Sequence, residues 1–257
     1  MTTDSRGLVR IEPNAKRVRA FLAGSAVFDT DRATLVWEGP HFPVYYVPAE
    51  DVATDVLVPS DHTERSPSRG DARFWSVCVG DRLAENAARQ YPDSRFEALR
   101  DLIRFEWGAM DAWFEEDEEV FTHARDPHHR IDILRSSRRV EVLLNGVTVA
   151  DSHSPSLLFE TGLPTRYYLP LTDVRTEFLR PSGSATSCPY KGTASYWSLE
   201  VDGERFEDVV WTYPSPLPES VRIAGLACFY NERVDIRVDG VLQERRLPGL
   251  SGQATAA

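Results

Sequence analysis

Cysteine is scarce in this chain. Cys78, Cys188 and Cys228 are odd in number and none stands in a Cys-x-x-Cys pair, so neither a disulfide framework nor a cysteine-based zinc site is indicated. They are read as free thiols. Long apolar runs are missing too: no stretch approaches the roughly 18 consecutive apolar residues of a membrane-spanning helix. Residues 1–6 lack the apolar centre of a signal peptide, so a cytoplasmic protein without membrane association is expected. Positive charge is in deficit. The 29 Lys and Arg against 40 Asp and Glu leave a formal net charge of −11, whereas phosphate-backbone binding needs a cationic surplus on some face. Nucleic acid is therefore not an expected partner. There is no P-loop, dinucleotide fingerprint, His-Glu-x-x-His or Gly-x-Ser-x-Gly, so no motif assigns a cofactor, a metal or a reaction.

What the chain does contain is itself, twice. Residues 17–92 align without a gap on residues 139–214 at a constant offset of 122, and about a third of the aligned positions are identical. The identities include Arg17/Arg139, Gly24/Gly146, Asp29/Asp151, Glu38/Glu160, Tyr45-Tyr46/Tyr167-Tyr168, Trp75-Ser76/Trp197-Ser198 and Tyr91-Pro92/Tyr213-Pro214. A period this long is a duplication of a whole domain, and an apolar fraction of 42% with six tryptophans gives each copy material for a core. The expected organisation is a flexible N-terminus at 1–15, a first repeat domain at 16–114, an acidic and histidine-containing linker at 115–137, a second repeat domain at 138–247 and a flexible C-terminus at 248–257. The two repeat domains are expected to pair within the chain.

The fold class is read as mainly β: two homologous small antiparallel β domains with short helices. Short β-branched and aromatic runs recur between turn signals at 18–22, 34–37, 44–47 and 74–79, and again at 140–144, 157–159, 167–169 and 196–201. Asn145-Gly146, Asp202-Gly203 and Asp239-Gly240 have the chemistry of two-residue hairpin turns. Helical periodicity is confined to 94–110 and 170–179. The stretch 223–230 reads as a turn and a buried strand after the prolines at 214, 216 and 218. The copies slip there, matching Phe105 and Asp111 to Phe229 and Asp235 at an offset of 124. The acidic block 115–119 reads as a solvated tether, and the alternation at 131–134 reads as a strand that ties this linker to a domain.

The copies differ most at one loop. Cys188-Pro189-Tyr190-Lys191-Gly192 puts a thiol, a phenol, an ammonium and a glycine between two strands, where sites are commonly built; the first copy has Ser66-Pro67-Ser68-Arg69-Gly70. Glycine admits close backbone approach, lysine is a point charge for phosphate or carboxylate, and tyrosine offers a stacking face. The alternative is that proline and glycine shape a turn and Cys188 fills space. Trp211-Thr212-Tyr213-Pro214 is a second cluster, which the first copy reduces to Arg89-Gln90-Tyr91-Pro92. With Tyr168, Tyr190, Tyr196 and Tyr230 its rings either line a cleft or pack a core. Cysteine catalysis is disfavoured because none of the six histidines adjoins Cys188. Gly24-Ser25 with Asp29 and Asp31 is too compact for the paired aspartates of a nucleotidyltransferase. His123, His128, His129 and Asp126 read as incidental surface groups of the linker, so no metal is expected.

The run Gly162-Leu163-Pro164-Thr165-Arg166-Tyr167-Tyr168-Leu169-Pro170, together with Cys188-Pro189-Tyr190-Lys191-Gly192, Tyr196-Trp197-Ser198, Trp211-Thr212-Tyr213-Pro214 and Phe229-Tyr230-Asn231, strongly resembles the bacterial family catalogued as domain of unknown function 427. The first copy resembles it less closely. The resemblance implies a small, mostly β domain related to the β-tent folds, with a nucleotidyltransferase-like label and no established activity. It restricts any site carried over from the family to residues 186–230.

The leading expectation is a second domain that binds a small anionic or nucleotide-like ligand. Lys191 would meet its charge and Tyr190, Trp211 and Tyr213 its planar part, with Cys188, Tyr168 and Tyr230 alongside; the first domain would be a structural partner. Two alternatives stay open: an enzyme acting on a nucleotide or phosphorylated metabolite with Cys188 or Asp173 as its reactive group, and a structural or interaction module without a ligand.

Overall fold

The computed structural model of the chain describes residues 9–53 and 55–245. It divides into two compact units, Met1–Asp126 and Pro127–Ala257. Each unit is an antiparallel seven-stranded sheet with a smaller four-stranded one. In the second unit the large sheet runs Ile131–Arg135, Ser156–Glu160, Arg166–Leu169, Ala227–Phe229, Glu204–Thr212, Gly192–Val201 and Leu179–Cys188 across its width. In the first unit the corresponding order is Arg10–Pro13, Thr34–Trp37, Val44–Pro48, Leu102–Phe105, Arg82–Gln90, Gly70–Val79 and Leu57–Ser66. The mainly β reading holds, and no helix among the described residues is long and apolar enough to cross a membrane.

Strand alternation explains why two sheets form. Val18–Leu22 and Val140–Leu144 bury every second side chain, the pattern of a sheet with one face on a core. Val18, Ala20 and Leu22 join Leu35, Tyr45, Val77 and Ile103 of the large sheet in one apolar cluster, and Val140, Val142 and Leu144 join Leu157, Tyr167, Leu199 and Phe229 in the other. Because neighbouring residues of a strand point to opposite faces, the Tyr-Tyr pairs divide: Tyr45 and Tyr167 enter these inter-sheet cores, while Tyr46 and Tyr168 belong to separate clusters with other members of the large sheets. That second face carries the chemistry.

The ladders extend the duplication back to residue 10, since Arg10 pairs with Trp37 as Asp132 pairs with Phe159. Arg10–Pro13 is thus an edge strand within the stretch expected to be a flexible N-terminus, and Ile131–Arg135 is its counterpart. Residues 1–8 and 246–257, which hold most of the expected flexible ends, lie outside the described residues. The acidic block forms a hairpin in which Glu116, Asp117, Glu118 and Glu119 are exposed and Glu115 is not. Ala112–Glu115 pairs with both Val18–Leu22 and Glu118–Glu119, and alternation turns Glu115 inward, where Lys16 and the Tyr45 hydroxyl donate to its carboxylate.

Other local expectations divide. Asn145, Gly146, Asp202, Gly203, Asp239 and Gly240 all adopt positive φ, as two-residue hairpins of the I′ type require. Ala227–Phe229 is a fully buried strand behind a 3-10 turn at Pro218–Ile223. The helices at the two periodic stretches are short and of the 3-10 type. Residues 94–110 are two 3-10 turns flanking the strand Leu102–Phe105, and 170–179 holds two more 3-10 turns. The apolar spacing there reports burial of Leu99, Ile103 and Phe105 under a sheet. Phe105 and Phe229 do match at 124, because Tyr46 pairs with Arg104 as Tyr168 pairs with Cys228. Asp235 instead corresponds to Ala112, since Leu143 and Phe21 pair with these two, so one residue of the slip is recovered after the strand.

The Pro-x-cation-Gly loop closes a three-residue turn in both units, between Ser66 and Gly70 and between Cys188 and Gly192. Both glycines have strongly positive φ, +97° and +93°, but a Cβ on Gly192 would lie 3.3 Å from the Ser215 carbonyl oxygen whereas one on Gly70 would meet nothing nearer than 3.8 Å. Gly192→Ala is therefore expected to destabilise the protein by about 1–3 kcal/mol and by more than Gly70→Ala does; urea unfolding of the two variants compares them directly.

Candidate functional site

In the second unit, the second face of the large sheet is an aromatic layer on a buried ion pair. Trp211 Nε1 donates to Tyr168 Oη at 3.1 Å, and the Tyr230 ring stands 4.5 Å from that of Trp211. The Arg166 guanidinium lies 5.6 Å from the Trp211 ring centre and 5.9 Å from that of Tyr230, a cation–π arrangement. A two-pronged bond to Glu232 at 2.9 and 3.0 Å holds it there. Cys228 sits beneath, its thiol pushed up to about 12 by burial, so it is no thiolate at neutral pH. Tyr213 is fully buried and its hydroxyl finds no partner among the described residues; burial pushes its ionisation upward.

The turn 189–191 sends Lys191 inward. Its Nζ donates to both carboxylate oxygens of Glu160, at 2.7 and 2.6 Å, and the two side chains are only 6% and 5% exposed. His129 Nε2 reaches the same carboxylate at 2.9 Å, and its ring stacks on Tyr190 at 4.3 Å. Burial by itself would raise the Glu160 carboxyl, but the His129 hydrogen bond and the Lys191 ammonium outweigh it and hold it below the usual carboxylate range. Leu217 N donates to the Lys191 carbonyl and Ser220 Oγ to that of Tyr190, so the 3-10 turn clamps the loop.

These contacts bear on two expectations. Lys191, assigned to a ligand's charge, is already neutralised by Glu160. His129, read as an incidental surface group, is a part-buried partner of that pair. Cys188 is a buried free thiol at the end of its strand. Asp173 accepts from Ser152 Oγ and Asp29 is held by Arg17, so both anchor local structure. Among the described residues no three His, Cys, Asp or Glu side chains group as a metal set.

Beside the aromatic layer lies a groove of about 420 Å³ lined by Ser184, Ala185, Thr186, Tyr196, Asp208, Tyr230 and Arg233. Of the seven candidate residues, Tyr230 lines it; Cys188, Tyr190, Lys191, Trp211, Tyr213 and Tyr168 are buried. Thr186 Oγ1 and Tyr196 Oη are 2.8 Å apart, and Ser184 Oγ donates to Asp208 Oδ2 at 2.7 Å. Asp208 stands at positive φ, 52°, and hydrogen bonds from Ser182 and Ser184 hold its carboxyl below the usual range. Arg233 Nη1 donates to the Glu207 carbonyl at 2.6 Å. Ser184, Asp208 and Arg233 were not found by sequence reasoning. The one signal for Asp208 is that the first copy also has a polar residue, Asn86, at that kink, likewise at positive φ.

Removing one member of a buried ion pair strands the other, at a cost of roughly 3–5 kcal/mol. Lys191→Ala is expected to lose about that much in urea unfolding, and Glu160→Leu with Lys191→Met to recover most of it. Because the folded Glu160 carboxyl lies below its unfolded value, its contribution is full above the unfolded value of about 4.3 and is lost as pH falls through the folded one. The stability profile of Glu160→Gln should be flatter than that of wild type in that acid window; parallel profiles would contradict the assignment.

No curated protein matches the chain. The family described as a domain of unknown function (DUF427) matches it twice, over residues 10–116 and 132–240. These stretches carry the strands of the two units just described, from Arg10–Pro13 to Ala112–Glu115 and from Asp132 to Val238. The chain belongs to the DUF427 family as a tandem of two copies.

Proposed function

We propose that the second unit binds a small ligand with an anionic group and a planar part in the groove between Ser184 and Arg233. The observation that carries this reading is the groove's wall. Two tyrosine rings and a guanidinium border a space of about 420 Å³, within the range of about 300–1,000 Å³ usual for ligand pockets. Tyr230 is set in place from behind by Trp211 and Arg166, so its ring is ordered before any ligand arrives. Arg233 has one of its five donors committed to a carbonyl, and its fork geometry suits a carboxylate or phosphate.

The aligned positions of the first unit support placing the site in the second. Where the second unit has Tyr230 and Arg233, the first has Glu106 and Ala109, and Thr186 is replaced by Glu64. The counterpart of the groove in the first unit therefore lacks both the ring and the cation that wall it. In this reading Lys191 serves the site indirectly, by neutralising Glu160 and fixing the turn beneath the aromatic layer.

A thermal-shift screen of nucleotides, sugar phosphates and organic acids tests the proposal, since a ligand that binds the native state raises the melting temperature by mass action. At least one compound is expected to stabilise wild type, and Arg233→Ala and Tyr230→Ala to bind it about tenfold more weakly or worse, as loss of a charged hydrogen bond or a stacked ring implies. If wild type responds to none, or both variants respond as wild type does, the groove is not a ligand site.

A further inference from the structure

We propose that the first unit carries an oxyanion site of its own, built on Arg69, Arg89 and Arg104 and suited to a phosphate group. These residues replace Lys191, Trp211 and Cys228 of the second unit, so a thiol and an indole have given way to two guanidiniums. Arg89 and Arg104 are directly opposite one another on neighbouring antiparallel strands, where the second unit pairs Trp211 with Cys228. Like charges at facing positions are destabilising. Here they are also sheltered: the side chains of Arg69, Arg89 and Arg104 are 11%, 15% and 12% exposed.

The carboxylate inside this cluster does not complete it. Glu38 sits at its centre, 16% exposed, but its contacts to the three arginines run from 3.4 to 3.9 Å, too long for good charge-assisted hydrogen bonds. The Tyr46 hydroxyl, opposite Arg104 on the next strand, bonds to Glu38 instead. Glu106 pairs with Arg104 and stands 3.4 Å from Arg89, and Glu64 is 3.9 Å from Arg89; these two are 44% and 53% exposed on the rim. No hydrogen bond of the Arg89 side chain is found among the described residues, and the Nε atoms of Arg69, Arg89 and Arg104 are buried without a hydrogen bond, Arg104 Nε having only Glu38 at 3.4 Å. Buried donors left unmade are costly.

Glu38 stands among the three guanidiniums, and the other carboxylates that face them, Glu106 and Glu64, lie on the more exposed rim, where an incoming anion would displace them from Arg104 and Arg89. Arg69 and Arg89 rest on the rings of Tyr91 and Phe74, which supports each guanidinium from its face and leaves its in-plane donors directed along the fork. Two adjacent forks offer more donors than one planar carboxylate accepts, whereas a tetrahedral phosphate presents three oxygens. The site does not depend on the groove of the second unit.

The test uses the full chain. Inorganic phosphate, sulfate, acetate and a simple phosphomonoester are titrated at matched ionic strength while the arginine Nε–H resonances are followed by NMR and the melting temperature is recorded. Phosphate is expected to shift the Arg89 and Arg104 signals and to raise the melting temperature in the millimolar range, with acetate at least about tenfold weaker because it satisfies fewer donors. A response to the ester as strong as to free phosphate would assign the source to a phosphorylated metabolite; a response to free phosphate alone would assign it to the ion. Arg89→Gln should abolish the phosphate response while, without phosphate, melting no lower than wild type, since it relieves the facing like charges. Arg233→Ala should leave the response intact. Unmoved Arg89 and Arg104 signals in wild type, or an undiminished response of Arg89→Gln, would overturn the proposal.

Discussion

A carboxylate sheltered beside the second face of each large sheet, part-buried Glu38 in one unit and buried Glu160 in the other, governs what can stand around it. A buried carboxylate is tolerable when its oxygens are matched by donors and its charge by a cation. Glu160 meets that demand within one turn of chain and one histidine: Lys191 covers both oxygens and His129 seals the side. The turn must then hold Lys191 still, which is why Gly192 occupies a backbone position closed to other residues and why Leu217 and Ser220 clamp the loop from the next 3-10 turn. With the charge settled locally, the neighbouring positions are free to be apolar, and Trp211, Tyr168, Tyr196 and Cys228 form a layer able to support a groove.

Much of this architecture was written in the chain in a form that a reader can recover. The duplication is visible because strand pairing constrains side chains at fixed positions, and the offset of 122 survives in the ladders over most of each unit. The Asn-Gly and Asp-Gly hairpins were legible because positive φ at two successive residues selects so few residue types. The periodicity of 94–110 and 170–179 yields 3-10 helices and not longer ones, because a strand flanked by 3-10 turns also buries residues three or four apart. The burial of Glu115 was concealed by its four acidic neighbours, since composition reports the block and alternation reports the residue.

The site was less legible, for a reason of distance. Lys191 and Glu160 are 31 residues apart and meet only because the sheet order brings the turn after Leu179–Cys188 over the strand Ser156–Glu160. The identity Glu38/Glu160 was in plain view in the repeat, and a carboxylate kept opposite a kept cation was the available signal. The groove left fainter traces. Ser184, Asp208 and Arg233 are polar residues in three separate segments, and no local pattern distinguishes them from solvated positions. Arg69 and Arg89 looked like decay of a family motif when taken singly, and Arg104 carried no signal; their convergence appears only with the ladder that sets Arg89 opposite Arg104.

The differences between the copies are coupled. An arginine at the position of Cys228 would stand across the ladder from Trp211 and beside Arg166, adding a second buried cation to one that Glu232 already occupies. Such a change is tolerable only with a new anion nearby, and the first unit supplies one at the position of Tyr230, where Glu106 pairs with Arg104. It also gives up the cation of Arg166, which Val44 replaces. Conversely, the Tyr230 ring that walls the groove rests on the tilted indole beside it and the guanidinium against it. The aromatic groove and the arginine cluster are therefore alternative solutions on one sheet face, each excluding the other within a unit. A duplicated domain can hold both only by giving one to each copy.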